Sequence, residues 1–153
     1  FVQSAGVSWK AFEGNQPEVV RAGEDGSIVL PASAAEIYGP SLVFEPEFGN
    51  LGWWGSDADY ARWTVDVPHG GDWIVELDFA CDDSAAGDSI RFSTGTRMLT
   101  ARVPGTGSWA NYQTWRVGTL DIFGGRQQIT VTTLQPPRSA LIDLKAIRLL
   151  PPE

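Results

Sequence analysis

Trp63-Thr64-Val65-Asp66-Val67-Pro68-His69-Gly70-Gly71-Asp72-Trp73-Ile74-Val75-Glu76-Leu77-Asp78-Phe79 is the stretch that decides the fold. Successive side chains of an extended chain point to opposite faces. Trp63, Val65 and Val67 therefore share one side, and Thr64 and Asp66 the other. The same alternation returns in Trp73, Val75, Leu77 and Phe79, against Glu76 and Asp78. Between the runs, Pro68 to Asp72 supplies the proline and glycines of a turn. The stretch reads as a hairpin with one buried face.

Downstream, Asp82-Asp83-Ser84-Ala85-Ala86-Gly87-Asp88 is an acidic loop, and strands follow over 90–93 and 99–103. Trp115 and Val117 alternate, then Gly118-Thr119 shifts the phase so that Leu120 and Ile122 point inward, as a bulge would. Gly124-Gly125 turns into a strand over 127–134, Pro136-Pro137 breaks it, and residues 140–150 form the last one. Upstream, strands are expected over 27–30 and 41–45. Residues 32–37 read as either a helical turn or a second extended piece. Phe48 to Asp57 reads as a loop by its three glycines, yet it holds Trp53 and Trp54 side by side. Adjacent residues face opposite ways, so one of this pair can be core while the other meets solvent. Residues 1–26 lack periodicity and read as an extended lead-in or linker that packs Trp9 or Phe12 on the domain, with the domain proper over 27–153.

Nine or ten short strands without a helix of ordinary length argue an all-β, two-sheet antiparallel sandwich. Its expected core holds Trp63, Val65, Val75, Leu77, Phe79, Ile90, Phe92, Val117 and Ile129. No repeat of fixed period is visible, which disfavours a propeller or solenoid.

The length of 153 residues fits one domain that buries roughly two-thirds of its unfolded surface. Nineteen acids against eleven bases give a formal net charge of −8 with no basic cluster, so nucleic acid is a poor partner. The same charge disfavours anionic membranes and polyanionic sugars and leaves neutral glycans open. No apolar run is long enough for a membrane span. The one cysteine, Cys81, follows Phe79-Ala80 and is expected to be a buried, unreactive thiol. The chain opens with Phe rather than Met, which reads as a piece of a longer or processed protein.

The candidate site lies in Gly105-Thr106-Gly107-Ser108-Trp109-Ala110-Asn111-Tyr112. Two glycines set a turn, and Trp109, Asn111 and Tyr112 follow at a loop rim. An aromatic face beside an amide suits a sugar: the ring takes the apolar face of a pyranose, and the amide offers a donor and an acceptor to its hydroxyls. The plainer reading is that Trp109 closes one end of the core.

The order of these elements resembles the carbohydrate-binding modules of family six and their relatives in family thirty-five. The shared features are Val103-Pro104, Gly-Thr-Gly-Ser-Trp, Gly124-Gly125-Arg126-Gln127 and a closing Ala140-Leu141-Ile142-Asp143-Leu144. The front half, around Pro31–Gly39 and Asn50–Trp54, looks like sugar-module-type domains of large secreted planctomycete-type cytochrome and dehydrogenase-like proteins. The resemblance implies a galactose-binding-like jelly-roll, a non-catalytic role, an extracytoplasmic location, and other domains of a parent chain as partners. It also implies that Trp109 stacks on sugar opposite a second aromatic from the early loops. Trp54 is the first choice, with Trp53 and Tyr38 as alternatives. The amide that usually precedes the closing Asp corresponds to Leu141, so Arg138, Ser139 or Asn111 would have to replace it. A structural calcium is implied through Asp143. The two first-strand acids correspond to Leu30 and Ser33, which leaves either Glu36 as the compensating ligand or a metal-free version in which Asp143 is simply hydrogen-bonded near a sheet edge.

Catalysis finds little support. His69, the one histidine, sits in a turn, which removes cupin-like metal sites and a Ser-His-Asp triad from consideration. Asp57, Asp59, Asp82, Asp83 and Asp88 could pair as glycosidase acids, but loop acids are ordinarily just solvated. Two classes remain: a module that binds a neutral polysaccharide or oligosaccharide, and a structural or interaction domain that has lost sugar binding.

Overall fold

The computed structural model describes residues 8–152. The chain forms a two-sheet antiparallel jelly-roll sandwich, in which hydrophobic side chains alternate inward from both layers. The first sheet runs in the order β1 (Val19–Arg21), β6 (Tyr60–Val67), β11 (Gly125–Thr133), β8 (Ser89–Thr94) and β9 (Arg97–Arg102), with β3 (Glu36–Tyr38) also on β6. The second sheet runs β10 (Gln113–Ile122), β7 (Gly71–Ala80), β12 (Asp143–Leu150), β5 (Asn50–Gly52) and β4 (Val43–Glu45), with β2 (Ile28–Pro31) also on β12. Every pairing is antiparallel except β1 with β6.

The hairpin of the sequence is β6 and β7, but its two strands do not pair with each other. Each instead runs through the middle of a different sheet, so the turn at Pro68–Gly70 crosses the sandwich. Trp63, Val65, Val75, Leu77, Phe79, Ile90, Phe92 and Ile129 are buried as the alternation requires. Val117 is a correction, being only half-buried. The register against β7 shifts between Arg116 and Gly118, so Val117 is the extra residue of a bulge and sits off the inward row.

Two short pieces depart from the expected boundaries, and a third combines two expected readings. Residues 32–34 form a 3-10 turn and 36–38 a strand, so both readings of that segment hold in succession. Asn50–Gly52, expected as loop, pairs with both β4 and β12. Within the expected lead-in, Phe12 packs against the core as expected, while Val19–Arg21 forms a strand along β6. The first seven residues of that segment lie outside the described residues. Cys81 is buried, and burial pushes its thiol up to about 11. His69 is exposed and stacks on Trp73 with ring centres 5.2 Å apart.

Candidate functional site

The loop before β10 is held from below by the acidic loop after β7. Thr106 donates its N–H to the Cys81 carbonyl at 2.8 Å, and its hydroxyl accepts the Cys81 N–H at 3.0 Å. Gly107 donates to the Asp83 carboxylate at 3.0 Å, and Asp83 N–H returns to the Gly107 carbonyl at 3.3 Å. Asn111 closes the turn by donating its side-chain amide to the Thr106 carbonyl. These bonds fix the backbone on both sides of Trp109, whose ring is half-buried with one part against the core.

A second loop, between β5 and β6, is organised by Asp59. This fully buried carboxylate accepts the N–H groups of Ser41 at 2.9 Å, Leu42 at 3.0 Å and Ser56 at 3.0 Å, and the Ser41 hydroxyl as well. Asp59 thus braces two loops rather than solvating one, because a buried charge needs several donors. The Asp59 carbonyl accepts the Trp54 indole N–H at 3.1 Å. The Trp54 carbonyl in turn accepts Leu141 N–H at 2.9 Å, tying the β11–β12 loop to the same point.

Trp54 is therefore core, with no exposed surface, and cannot stack on a ligand. Of the adjacent pair it is Trp53 that faces solvent, 69% exposed. Trp53 is the only non-glycine residue with positive φ among the described residues, at 60°. Left-handed backbone costs an L-residue of this size free energy and persists only where surrounding contacts impose it.

Trp53 and Trp109 line one cleft of about 470 Å³. Ser41, Gly55, Ser139 and Ala140 form its loop walls, and Glu45 and Asp143 its carboxylate side. Burial, and then the charge of Glu45, pushes Asp143 up to about 7. Gly52 sits against both acids: a Cβ there would run into the Glu45 carboxylate and lie 3.2 Å from Asp143 Oδ1. Asn50 steadies Glu45 by donating from Nδ2 at 3.0 Å. Tyr112 is half-buried beside this group. Burial, Asp143 and Glu45 together raise its hydroxyl pKa, and the Lys145 ammonium lies 4.1 Å from its ring centre. Lys145 comes to that place through a bulge in β12 between Leu144 and Ala146.

Other expected residues lie elsewhere. Asn111 spends its amide on its own loop and does not line the cleft. Arg138 donates its N–H to Asp88 at 3.1 Å, and its side chain lies over Gly87. Tyr38 stacks on Tyr60 at 4.6 Å on the outside of the first sheet. Glu36 accepts the Tyr38 hydroxyl there at 2.6 Å. Glu36 and Asp143 thus belong to different sheets and cannot share an ion. Calcium wants roughly six to eight oxygens with several carboxylates, and Glu45 is the carboxylate that stands beside Asp143. Among the described residues no three His, Cys, Asp or Glu side chains gather as a metal group. The other acid candidates, Asp57, Asp82, Asp83 and Asp88, do not line the cleft. Sequence reasoning missed Glu45 and Ser41. The alternation of Val43-Phe44-Glu45, with Phe44 inward, was the available signal for Glu45.

No protein-family model and no curated protein matches the sequence. Solved structures do match. The C-terminal family-six carbohydrate-binding module of a laminarinase from Zobellia galactanivorans superimposes with a TM-score of 0.67 at 20% identity, covering 82% of this chain and 99% of that one. A family-thirty-five module from Clostridium thermocellum gives 0.67 at 18% identity, over 80% and 98%. A family-six module of a Cellvibrio mixtus lichenase, solved with cellotriose, gives 0.62 at 19% identity, over 82% and 97%. At these identities the likeness is one of fold.

Proposed function

We propose that this domain binds a neutral carbohydrate in the cleft between Trp53 and Trp109 and catalyses nothing. The observation that carries the reading is that two loops far apart in sequence bring two tryptophans to one cleft beside hydroxyl and carboxyl groups. Indole faces suit the apolar faces of pyranose rings, and Ser41, Ser139, Asp143 and Glu45 can hydrogen-bond sugar hydroxyls. Glu45, joined by Asp143 once it ionises above about pH 7, repels uronates and sulfated sugars, which favours uncharged glycans. The strained backbone at Trp53 agrees, since such strain gathers at ligand sites. The fold of the solved neighbours, themselves carbohydrate-binding modules, supports the same class.

An open cleft with stacking and few hydrogen bonds implies modest affinity, on the order of 10 μM to 1 mM. In this reading the domain works outside the cytoplasm as one part of a larger chain, and calcium takes no part in binding. A broad array of neutral glycans tests it. Wild type is expected to bind and Trp109→Phe to retain the fold with weaker binding. Binding to no glycan would favour the interaction-domain alternative, which the buried, apolar Leu141 at the expected amide position also favours.

A further inference from the structure

The lead-in segment builds a pit at the margin of the first sheet. Lys10 donates its N–H to the Ile37 carbonyl at 2.9 Å, which lays the chain around Trp9 beside β3. Gln16 N–H returns to the Ser33 carbonyl at 2.7 Å, and the Asn15 side-chain amide donates to the Lys10 carbonyl at 3.1 Å, tying the two ends together. Pro17 and Glu18 then lead into β1. β1 and β3 start next to each other on β6, with Val19 opposite Thr64 and Glu36 opposite Arg62. Between them lies a pit of about 260 Å³, walled by Trp9, Pro17 and Val19 and carrying Glu18, Glu36 and Thr64.

Glu18 and Glu36 have no cation within ion-pair distance among the described residues. The cations that the lead-in, β1 and β6 supply nearby are each turned elsewhere. Lys10 gives its ammonium to the carbonyls of Gly39 and Leu42, at 2.5 and 2.7 Å. Arg21 lies 3.3 Å from Asp66. Arg62 stands opposite Glu36 in the ladder, yet its guanidinium is held over Tyr38 and Tyr60, 5.6 and 5.5 Å from the ring centres. Tyr38 donates its hydroxyl to Glu36 at 2.6 Å, which orients that carboxylate and leaves its charge uncancelled.

We propose that this pit receives the lysine side chain of an extended basic polypeptide that lies along β1. An ammonium group carries three donors and no acceptor, so a pair of carboxylates complements it. The face of an indole attracts the same charge, and Pro17 and Val19 offer apolar wall to the methylene stem. A polypeptide fits better than a free amine because β1 is the margin of its sheet. The outer side of that strand has no strand partner among the described residues, and an extended chain can hydrogen-bond there. The formal charge of −8 draws a basic chain toward the domain. The pit shares no residue with the cleft of Trp53 and Trp109, so the proposal stands or falls apart from the neutral-sugar reading.

Two-dimensional NMR of the full chain tests it through the Trp9 indole N–H signal, which the spectrum of Trp9→Leu assigns. The probes are the peptide acetyl-Val-Thr-Lys-Val-Thr-amide, the same peptide with norleucine in place of lysine, and a chitosan oligosaccharide. The expected result is a saturable shift with the lysine peptide, at a Kd on the order of 1 mM, weakened by salt and absent with the norleucine peptide. Glu18 is exposed, so Glu18→Gln should keep the melting temperature of wild type while weakening binding about threefold. Asp57→Asn removes the same charge from an exposed loop outside the pit and should bind as wild type does, as should Trp53→Gly. A Trp9 signal that the lysine peptide does not move, equal shifts by the norleucine peptide, or stronger shifts by the chitosan oligosaccharide would overturn the proposal. So would an affinity that Glu18→Gln leaves unchanged or that Asp57→Asn lowers as much.

Discussion

Asp83 accepts the Gly107 N–H through Oδ1 at 3.0 Å, and this contact joins the acidic loop to the loop that carries Trp109. Removing the carboxylate leaves the Thr106–Cys81 bonds in place, so the loop should loosen rather than unfold. Asp83→Ala is expected to lower the melting temperature by only about 2–4 °C while weakening neutral-glycan binding several-fold. Thermal melts and a binding titration on the same variant check both halves.

Trp53 holds a backbone conformation that glycine adopts without cost. Trp53→Gly should therefore be more stable than Trp53→Ala by about 1 kcal/mol, although both lose the ring. Urea unfolding of the two variants measures the difference. Equal stabilities would mean that the left-handed backbone at this position stores no strain.

Asp59 satisfies three backbone N–H groups and one hydroxyl from full burial. Asp59→Asn replaces one acceptor oxygen by a donor that faces N–H groups, so it should cost about 3 kcal/mol. Denaturant unfolding reads the loss. A cost below about 1 kcal/mol would show that these loops do not depend on the carboxylate.

Asp143 has its folded-state pKa raised to about 7, by burial first and by Glu45 second. The folded state therefore holds a proton that the unfolded chain has already released. Between the ordinary carboxylate range and about pH 7, stability should fall as pH rises. Discounted for its partial exposure, the effect is about 2 kcal/mol. Unfolding free energies at pH 5 and pH 7.5 should show this drop in wild type and a smaller one in Asp143→Asn. Parallel pH profiles would contradict the assignment.

Much of this fold is legible in the alternation of single strands. The rows through Trp63 and Trp73 name their inward residues because every second side chain is apolar. What alternation does not tell is which strand pairs with which. β6 and β7 read as a hairpin, yet they enter separate sheets. Three-residue strands such as Val19–Arg21 and Asn50–Gly52 owe their place to a partner's register, and no pattern of their own announces it.

The site follows the same division. That one of Trp53 and Trp54 would be exposed follows from opposite pointing. Which one is exposed depends on the Asp59 carbonyl that takes the Trp54 indole, a contact formed only in the folded loop. The resemblance puts Tyr38 and Glu36 near Trp109 and Asp143, but their strand pairs with β6, in the other sheet.

The central claim is that Trp53 and Trp109 together hold a neutral sugar, and indole N–H resonances test it most directly. The chain has seven tryptophans, so seven such signals can be followed by two-dimensional NMR during titration with a neutral oligosaccharide chosen from the array. Spectra of Trp53→Gly and Trp109→Phe assign the two of interest. The expected result is that these two signals shift in saturable fashion, while those of the buried Trp54, Trp63 and Trp73 stay in place. Neutral glycans that shift none of the seven, or that shift signals other than those of Trp53 and Trp109, would contradict the account.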